Sequence, residues 1–161
     1  MDTVYIETSI VSHATSRPSS NPAVATLQAQ AKRWLAVEAP KYALVTSQFV
    51  LDEAALGDPE AAASRLRLLA DIPVLLPDAR IEAIANQITA RSLMPPSAML
   101  DALHVASAAV GGVEYLLTQN CRHIANAHVL PGVYDLLEDL GLPRLLICTP
   151  AEFLGDPSDA N

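Results

Sequence analysis

Short apolar runs alternate with longer segments of helical periodicity along the whole chain. The runs are almost continuously apolar, which is typical of strands that are covered on both faces. They fall at residues 3–6, 42–46, 72–76, 114–118 and 144–148. Strands that alternate with helices predict βαβ units and a mostly parallel sheet. We therefore expect an α/β fold, a three-layer α/β/α sandwich with a roughly five-stranded sheet.

Helix-start signals support the segments between these runs. Asp58 is a favourable capping residue in front of a proline, and Asp78 precedes a helical pattern over residues 79–91. No repeat or linker divides the chain. We therefore predict one domain over residues 1–154, followed by a polar tail over residues 155–161.

Composition predicts a well-cored protein without a covalent or metal staple. Of 161 residues, 51% are hydrophobic and only 17% are charged, which suffices for a buried core. Cys121 and Cys148 have no CxxC spacing, and we interpret them as reduced thiols. Neither a signal peptide nor an apolar run of membrane-spanning length is recognisable. A cytoplasmic location without a membrane partner is expected.

The formal net charge of −8 argues against a broad surface for nucleic acids. Non-specific nucleic-acid affinity comes from clustered lysine and arginine side chains. Any nucleic-acid function must therefore depend on a local patch, a metal ion or a basic partner.

Polar side chains follow the first predicted strand in the stretch VYIETSI. Three strand-forming residues lead directly into Glu7, Thr8 and Ser9. One interpretation is a helix start, with Thr8 or Ser9 as the capping residue and Glu7 beside the helix dipole. The other is a ligand site, because open parallel sheets bind ligands beyond the carboxyl ends of their strands.

A second carboxylate falls on the apolar stripe of a predicted helix after the second strand. Glu53 is four residues past Phe49 and three past Val50, so it shares their face, whereas Asp52 points towards solvent. A carboxylate on a buried stripe is costly unless it is paired or bound to a metal. Glu53 is therefore either such a group or a helix-rim residue that reaches water.

The segment over residues 97–110 is apolar almost all round and predicts a buried helix ending at Gly111. Asp101 lies within this apolar surface, and Asp is almost never fully buried without a partner. A functional role is favoured over a first-turn role at the helix dipole. His104, three residues on, is expected to be a hydrogen-bonded core histidine that could also tune Asp101.

Thr118 and Asn120 place two more oxygen-bearing side chains beyond a strand. Alone they indicate an ordinary turn. Together with Glu7, Glu53 and Asp101 they predict an oxygen-rich cluster at one edge of the sheet. Carboxylate and amide oxygens suit Mg²⁺ or Mn²⁺ rather than Zn²⁺.

A zinc site is not indicated by the remaining candidate ligands. Cys121, His123 and His128 match no common zinc spacing and lack a fourth ligand. We expect both histidines to cap or pack around a helix.

The stretches VYIETSI, TSQFVLDE, the Asp-Ala-Leu-His helix and YLLTQNCRHIAN, in this order and spacing, resemble the PIN domain. The likeness is greatest to the VapC-type toxins of bacterial toxin–antitoxin pairs. It extends from about Val4 to about Leu154. The resemblance implies an α/β/α sandwich and a Mg²⁺- or Mn²⁺-dependent ribonuclease. It further implies a homodimer and a cognate antitoxin as partner.

Carried over by motif, the resemblance implies a set of site residues. The catalytic set is Glu7, Glu53, Asp101 and Asn120, with Glu7 and Asp101 as metal ligands and Thr8, Ser9 and Thr118 in support. Independently of the resemblance, Arg122 beside the fourth site is either a contact to the RNA backbone or a solvated surface charge. Two positions depart from the family pattern. Glu7 stands where Asp is usual, and Asn120 stands where many members carry Asp, which removes one charge and puts a second metal ion in doubt.

Two competing hypotheses stay open at this point. A degenerate PIN fold that binds without turnover is favoured by the net charge, by Glu7 and by Asn120. The other is a different α/β enzyme with an acidic pocket, such as a phosphoryl-transfer or receiver-like domain. An Asp at the end of the first strand or a glycine-rich phosphate loop would favour it. The chain has a Glu there and no GxxxxGK[ST] motif.

Overall fold

The computed structural model describes residues 1–153, so the predicted polar tail lies outside the described residues. The strands are β1 (Thr3–Ile6), β2 (Ala43–Val45), β3 (Tyr115–Leu117) and β4 (Leu146–Cys148). The α-helices are α1 (Thr8–Thr15), α2 (Pro22–Arg33), α3 (Gln48–Ala54), α4 (Pro59–Leu69), α5 (Arg80–Ala90), α6 (Met99–Val110), α7 (Leu130–Asp139) and α8 (Pro150–Phe153). A π-helical turn covers Trp34–Glu38, and 3-10 turns cover Ala39–Lys41 and Pro96–Ala98.

The strands form one parallel sheet in the order β2-β1-β3-β4. Val4 in β1 lies opposite Leu44 on one side and Tyr115 on the other. The chain runs from β1 outwards to β2 and then returns to the other side of β1. The strand order therefore reverses between β1 and β3, where open α/β sheets bind their ligands.

Both faces of the sheet are covered. Successive side chains of a strand point to opposite faces, yet Val4, Tyr5 and Ile6 are all 0% exposed. On α6, Ala102 and Val105 are equally buried. This burial explains the near-continuous apolar runs and confirms the predicted α/β/α architecture.

The predicted strand at residues 72–76 is the one part of the sheet prediction that differs, because the described chain has four strands. The segment makes a single parallel bridge between Thr46 and Val74. The Thr46 N–H donates to the Pro73 carbonyl at 2.9 Å, and its own carbonyl accepts from Leu75 at 2.9 Å. Pro73 has no N–H to extend the ladder, and Leu76 is 86% exposed. The apolar run therefore lies along the sheet edge without becoming a strand.

The capping predictions are confirmed within about one residue. The Asp58 carboxylate accepts from the Ala61 N–H at 2.9 Å at the start of α4. Asp78 accepts from the Arg80 N–H in the same way at the start of α5. Among residues 1–153, no helix has both the length and the apolar character needed to cross a membrane.

Candidate functional site

The carboxyl ends of the four strands lie at one edge of the sheet, and the polar residues of interest follow β1, β2 and β3. Glu7 follows β1, Thr46 and Ser47 follow β2, and Thr118 follows β3. Glu7 and Thr118 extend neighbouring strands at the point where the strand order reverses. We call the polar side chains at this edge the switch-point site.

Glu7 is the buried centre of the switch-point site and is 3% exposed. It also caps α1, because its carboxylate accepts from the Ser9 N–H, a role that the helix-start interpretation gave to Thr8 or Ser9. The Thr118 hydroxyl donates to its other oxygen at 3.2 Å. Burial raises the pKa of Glu7, His104 opposes that rise, and Glu53 adds to it. Glu7 is thus a desolvated acid close to another carboxylate.

Hydrogen bonds hold the loop after β3 against α1. The Ser9 hydroxyl lies 3.3 Å from that of Thr118 and accepts from the Gln119 N–H at 2.7 Å. The Gln119 side chain also lies 2.6 Å from Nδ1 of His13. The Asn120 N–H donates to the Thr118 hydroxyl at 3.0 Å. Sequence reasoning missed His13 and Gln119, although Gln119 lies between two predicted site residues.

Asp101 is joined to this loop through a histidine. Its Oδ2 lies 2.9 Å from Nδ1 of His123, and the His123 N–H donates to the Asn120 side-chain oxygen at 3.0 Å. The His123 side chain therefore pairs with an acid in the first turn of α6, a contact that the sequence did not predict. Hydrogen bonds lead from Glu7 through Thr118, Asn120 and His123 to Asp101.

Glu53 lies at the rim of the site, with 30% of its side chain exposed. Its Oε1 lies 3.2 Å from Nε2 of His104. Burial raises the pKa of Glu53, but the hydrogen bond to His104 and the nearby Thr8 hydroxyl lower it below its ordinary value. Glu53 therefore carries its negative charge at neutral pH. Asp52 next to it is exposed, as predicted.

The hydroxyl of Thr8 is a buried polar group without a hydrogen bond. It lies near enough to Glu53 to help lower that pKa, yet its oxygen meets no partner at hydrogen-bond geometry. A buried hydroxyl of this kind costs free energy unless a ligand or an ion satisfies it. It is an available oxygen donor within the switch-point site.

His104 is the hydrogen-bonded core histidine that the sequence predicts, and it is 0% exposed. Its acid partner is Glu53 on α3, and not Asp101 on its own helix. Its Nδ1 lies 3.0 Å from the Tyr5 hydroxyl, which lies 2.6 Å from that of Ser47. These four residues form a second hydrogen-bonded chain beside Glu7.

The acids share one edge of the sheet, but each has its own partners. Among residues 1–153, no group of three or more His, Cys, Asp or Glu side chains is arranged to hold a metal ion. The sequence predicts carboxylates gathered around a cation, whereas in the structure Glu53 and Asp101 each have a histidine partner, His104 and His123. Arg122 is exposed in the loop next to His123.

No protein-family model and no curated protein matches the chain. Solved structures do match its fold. VapC20 from Mycobacterium tuberculosis, a sarcin-ricin loop cleaving toxin, is 20% identical with a TM-score of 0.58, over 74% of this chain and 92% of that one. VapBC2 from Rickettsia felis, bound to a DNA fragment from its promoter, is 15% identical with a TM-score of 0.56, over 91% and 98%.

FitAB bound to the IR36 DNA fragment is a third similar structure. It is 16% identical with a TM-score of 0.52, over 91% of this chain and 94% of that one. At such identities the likeness establishes the fold alone. The chain therefore has the fold of VapC-type PIN-domain toxins, as the sequence motifs predict.

Proposed function

We propose that this protein is a divalent-metal-dependent endoribonuclease and the toxin of a type II toxin–antitoxin pair. The observation that carries the proposal is the buried Glu7 carboxylate at the reversal of strand order, linked by hydrogen bonds to Asp101. The motifs that resemble VapC-type toxins contain both acids. The fold shared with VapC20, a sarcin-ricin loop cleaving toxin, supports this proposal.

The donors at the switch-point site fit a hard divalent cation. Glu7 and Asp101 offer carboxylate oxygens, and the Thr8 hydroxyl is buried without a partner. Such oxygens suit Mg²⁺ or Mn²⁺. Glu7 and Asp101 would hold the ion, with Thr8, Ser9 and Thr118 around them. When bound, a cation of this class polarises the scissile phosphate and lowers the pKa of a coordinated water.

Besides the metal ion, the protein's own side chains have separate roles in this mechanism. Glu53 is ionised and partly exposed, so it can accept a hydrogen bond from the attacking water at the rim of the site. The amide of Asn120, held in the loop after β3, can orient that water or a phosphate oxygen. Arg122 is exposed beside this loop and can contact the RNA backbone.

The net charge of −8 limits how RNA can bind. A local contact at Arg122 and the cation itself would supply the attraction that the wider surface lacks. A basic segment of a cognate antitoxin would likewise be attracted to this surface. We further propose that the protein acts in the cytoplasm and forms homodimers.

The proposal is tested by cleavage of end-labelled RNA of mixed sequence in Mn²⁺ and in EDTA. The purified wild type should cut in Mn²⁺ and stop in EDTA, and Asp101→Asn should lose at least about 100-fold in rate. Asp52→Asn is the matched control, because Asp52 is an exposed acid on α3 that accepts a hydrogen bond from Gln48. Equal cutting by wild type and Asp101→Asn would remove Asp101 from the mechanism.

A PIN fold that binds without turnover is the second candidate function. It is favoured by the histidine pairs, because Asp101 and Glu53 already have partners, and by the neutral Asn120. Titration calorimetry with Mn²⁺ separates the two candidates. Binding that Asp101→Asn abolishes supports the nuclease, whereas no binding by the wild type supports the module without turnover.

A further inference from the structure

A continuous chain of hydrogen bonds leads from the core to Glu53. The Ser47 hydroxyl lies 2.6 Å from the Tyr5 hydroxyl, which lies 3.0 Å from Nδ1 of His104. Nε2 of His104 lies 3.2 Å from Oε1 of Glu53. Tyr5 and His104 are 0% exposed and Ser47 is 4% exposed, so only the Glu53 end reaches solvent. The chain joins β1, α6 and α3.

The proton positions along this chain follow from its two ends. Glu53 has 30% of its side chain exposed to water, so it is ionised at neutral pH, and a carboxylate only accepts. Nε2 of His104 must therefore donate, and in a neutral imidazole Nδ1 is then the acceptor. The Tyr5 hydroxyl lies 3.0 Å from Nδ1 and donates its proton to it, since a phenol keeps its proton at neutral pH.

The Ser47 end of this chain of hydrogen bonds agrees with the same direction of donation. The Ser47 hydroxyl oxygen accepts from the Val50 N–H at 3.4 Å as it caps α3. Its own O–H is free to donate to the Tyr5 oxygen. Each of the two hydroxyls therefore donates once and accepts once: Ser47 accepts from Val50 and donates to Tyr5, and Tyr5 donates to His104.

We infer that Tyr5 and Ser47 are positioning residues that hold His104 with its proton on Nε2 and thereby fix the Glu53 carboxylate at the rim of the switch-point site. Their role in RNA cleavage rests on the proposed function, whereas the proton arrangement is a property of the folded chain. A partly exposed Glu side chain has several accessible rotamers, and one fixed partner restricts them. The hydroxyl of Tyr5 thus acts on the reaction through two intervening residues.

The direct test is the protonation state of His104 in the full chain. Nitrogen-15 NMR at pH 8, with the His104 signals assigned by their loss in His104→Gln, distinguishes a protonated from an unprotonated ring nitrogen. We expect a protonated Nε2 and an unprotonated Nδ1. A proton on Nδ1, alone or together with one on Nε2, would overturn the inference. The experiment uses the wild type and needs neither RNA nor metal.

Tyr5→Phe tests the link to Glu53, and Tyr134→Phe is its matched control. Tyr134 also has a bonded hydroxyl, which accepts from the Ile147 N–H at 2.9 Å, but it lies on α7 outside the switch-point site. Tyr5→Phe should shift the Nδ1 signal of His104, and Tyr134→Phe should leave it unchanged. An unchanged His104 spectrum in folded Tyr5→Phe would show that the hydroxyl does not set the proton position.

The kinetic test separates positioning from simple destabilisation. Tyr5→Phe should lower kcat for RNA cleavage by roughly 10-fold and leave KM within about two-fold, as loss of an orienting partner does. Tyr134→Phe should change neither constant. A wild-type kcat in Tyr5→Phe would contradict positioning. If the wild type does not cut RNA, the proposed function fails, and the NMR result still decides the proton arrangement.

Discussion

Replacing Glu7 by Gln should change how the stability of the protein depends on pH. Glu7 is almost fully buried, and its pKa in the folded protein lies above the ordinary value of 4.5. Gln can keep the local hydrogen bonds, because its oxygen can accept from the Ser9 N–H while its amide donates to the Thr118 hydroxyl. The Thr118 proton can then turn towards Ser9, whose oxygen is 3.3 Å away. The substitution therefore removes a charge with little loss of packing.

The sign of the effect follows from the direction of the pKa shift. Between pH 4.5 and the raised pKa of Glu7, the unfolded chain has lost the Glu7 proton while the folded protein still holds it. Stability is then lost as the pH rises, by up to about 1.4 kcal/mol per pH unit in this window. Below this window the contribution of Glu7 to stability is complete. Above it, this contribution no longer changes with pH. Glu7→Gln has no proton to lose and lacks this decline.

The assay is urea unfolding of both proteins from pH 5 to pH 8 in EDTA, followed by circular dichroism. The free energy of unfolding of wild type minus that of Glu7→Gln should fall as the pH rises. Glu138→Gln, which removes an exposed carboxyl on α7, controls for the change in net charge. A difference that is constant or increases with pH would refute a raised pKa at Glu7. Measurements above pH 5 avoid the opposite contribution of Glu53, which is lost only as the pH falls through its lowered pKa.

Three further predictions concern the metal and the RNA. Mn²⁺ at 100 times its dissociation constant should stabilise the wild type by about 2.7 kcal/mol, and Asp101→Asn by much less, in the same urea assay. Asn120→Asp keeps the acceptor for the His123 N–H and adds a negative charge. The affinity for Mn²⁺, measured by calorimetry, should therefore rise by roughly 10-fold. An unchanged affinity would place Asn120 away from the ion. Arg122→Ala should raise KM for RNA without changing kcat and should reduce the salt dependence of binding by about one phosphate contact. Arg144→Ala, at an exposed arginine just before β4, should do neither.

The fold was predictable because local patterns and topology agree. Continuous apolar runs indicated covered strands, and the burial of Val4, Tyr5 and Ile6 has the same cause. Residues 72–76 were wrongly predicted to be a strand, because apolar content alone does not show whether a segment forms the hydrogen bonds of a sheet. Pro73 lacks an N–H, and this single residue reduces the predicted strand to one bridge.

The members of the site were more predictable than their partners. Glu7 and Thr118 follow directly from strand ends, because parallel strands present those ends at one edge. The pairs of Asp101 with His123 and of Glu53 with His104 depend on how separate segments pack, and no spacing along the chain reports this. The expectation of carboxylates gathered by a cation alone left out the two histidines that pair with Glu53 and Asp101.

The most direct test of the account is the position of Mn²⁺ in crystals of the wild-type protein soaked with the ion, located by its anomalous scattering. The account predicts one strong peak at the switch-point site, bonded to carboxylate oxygens of Glu7 and Asp101 and absent from Asp101→Asn crystals. Asp101 would then exchange its bond to His123 for a bond to the ion. A fully soaked crystal with no ion beside Glu7, and with Asp101 still bonded to His123, would contradict the nuclease assignment.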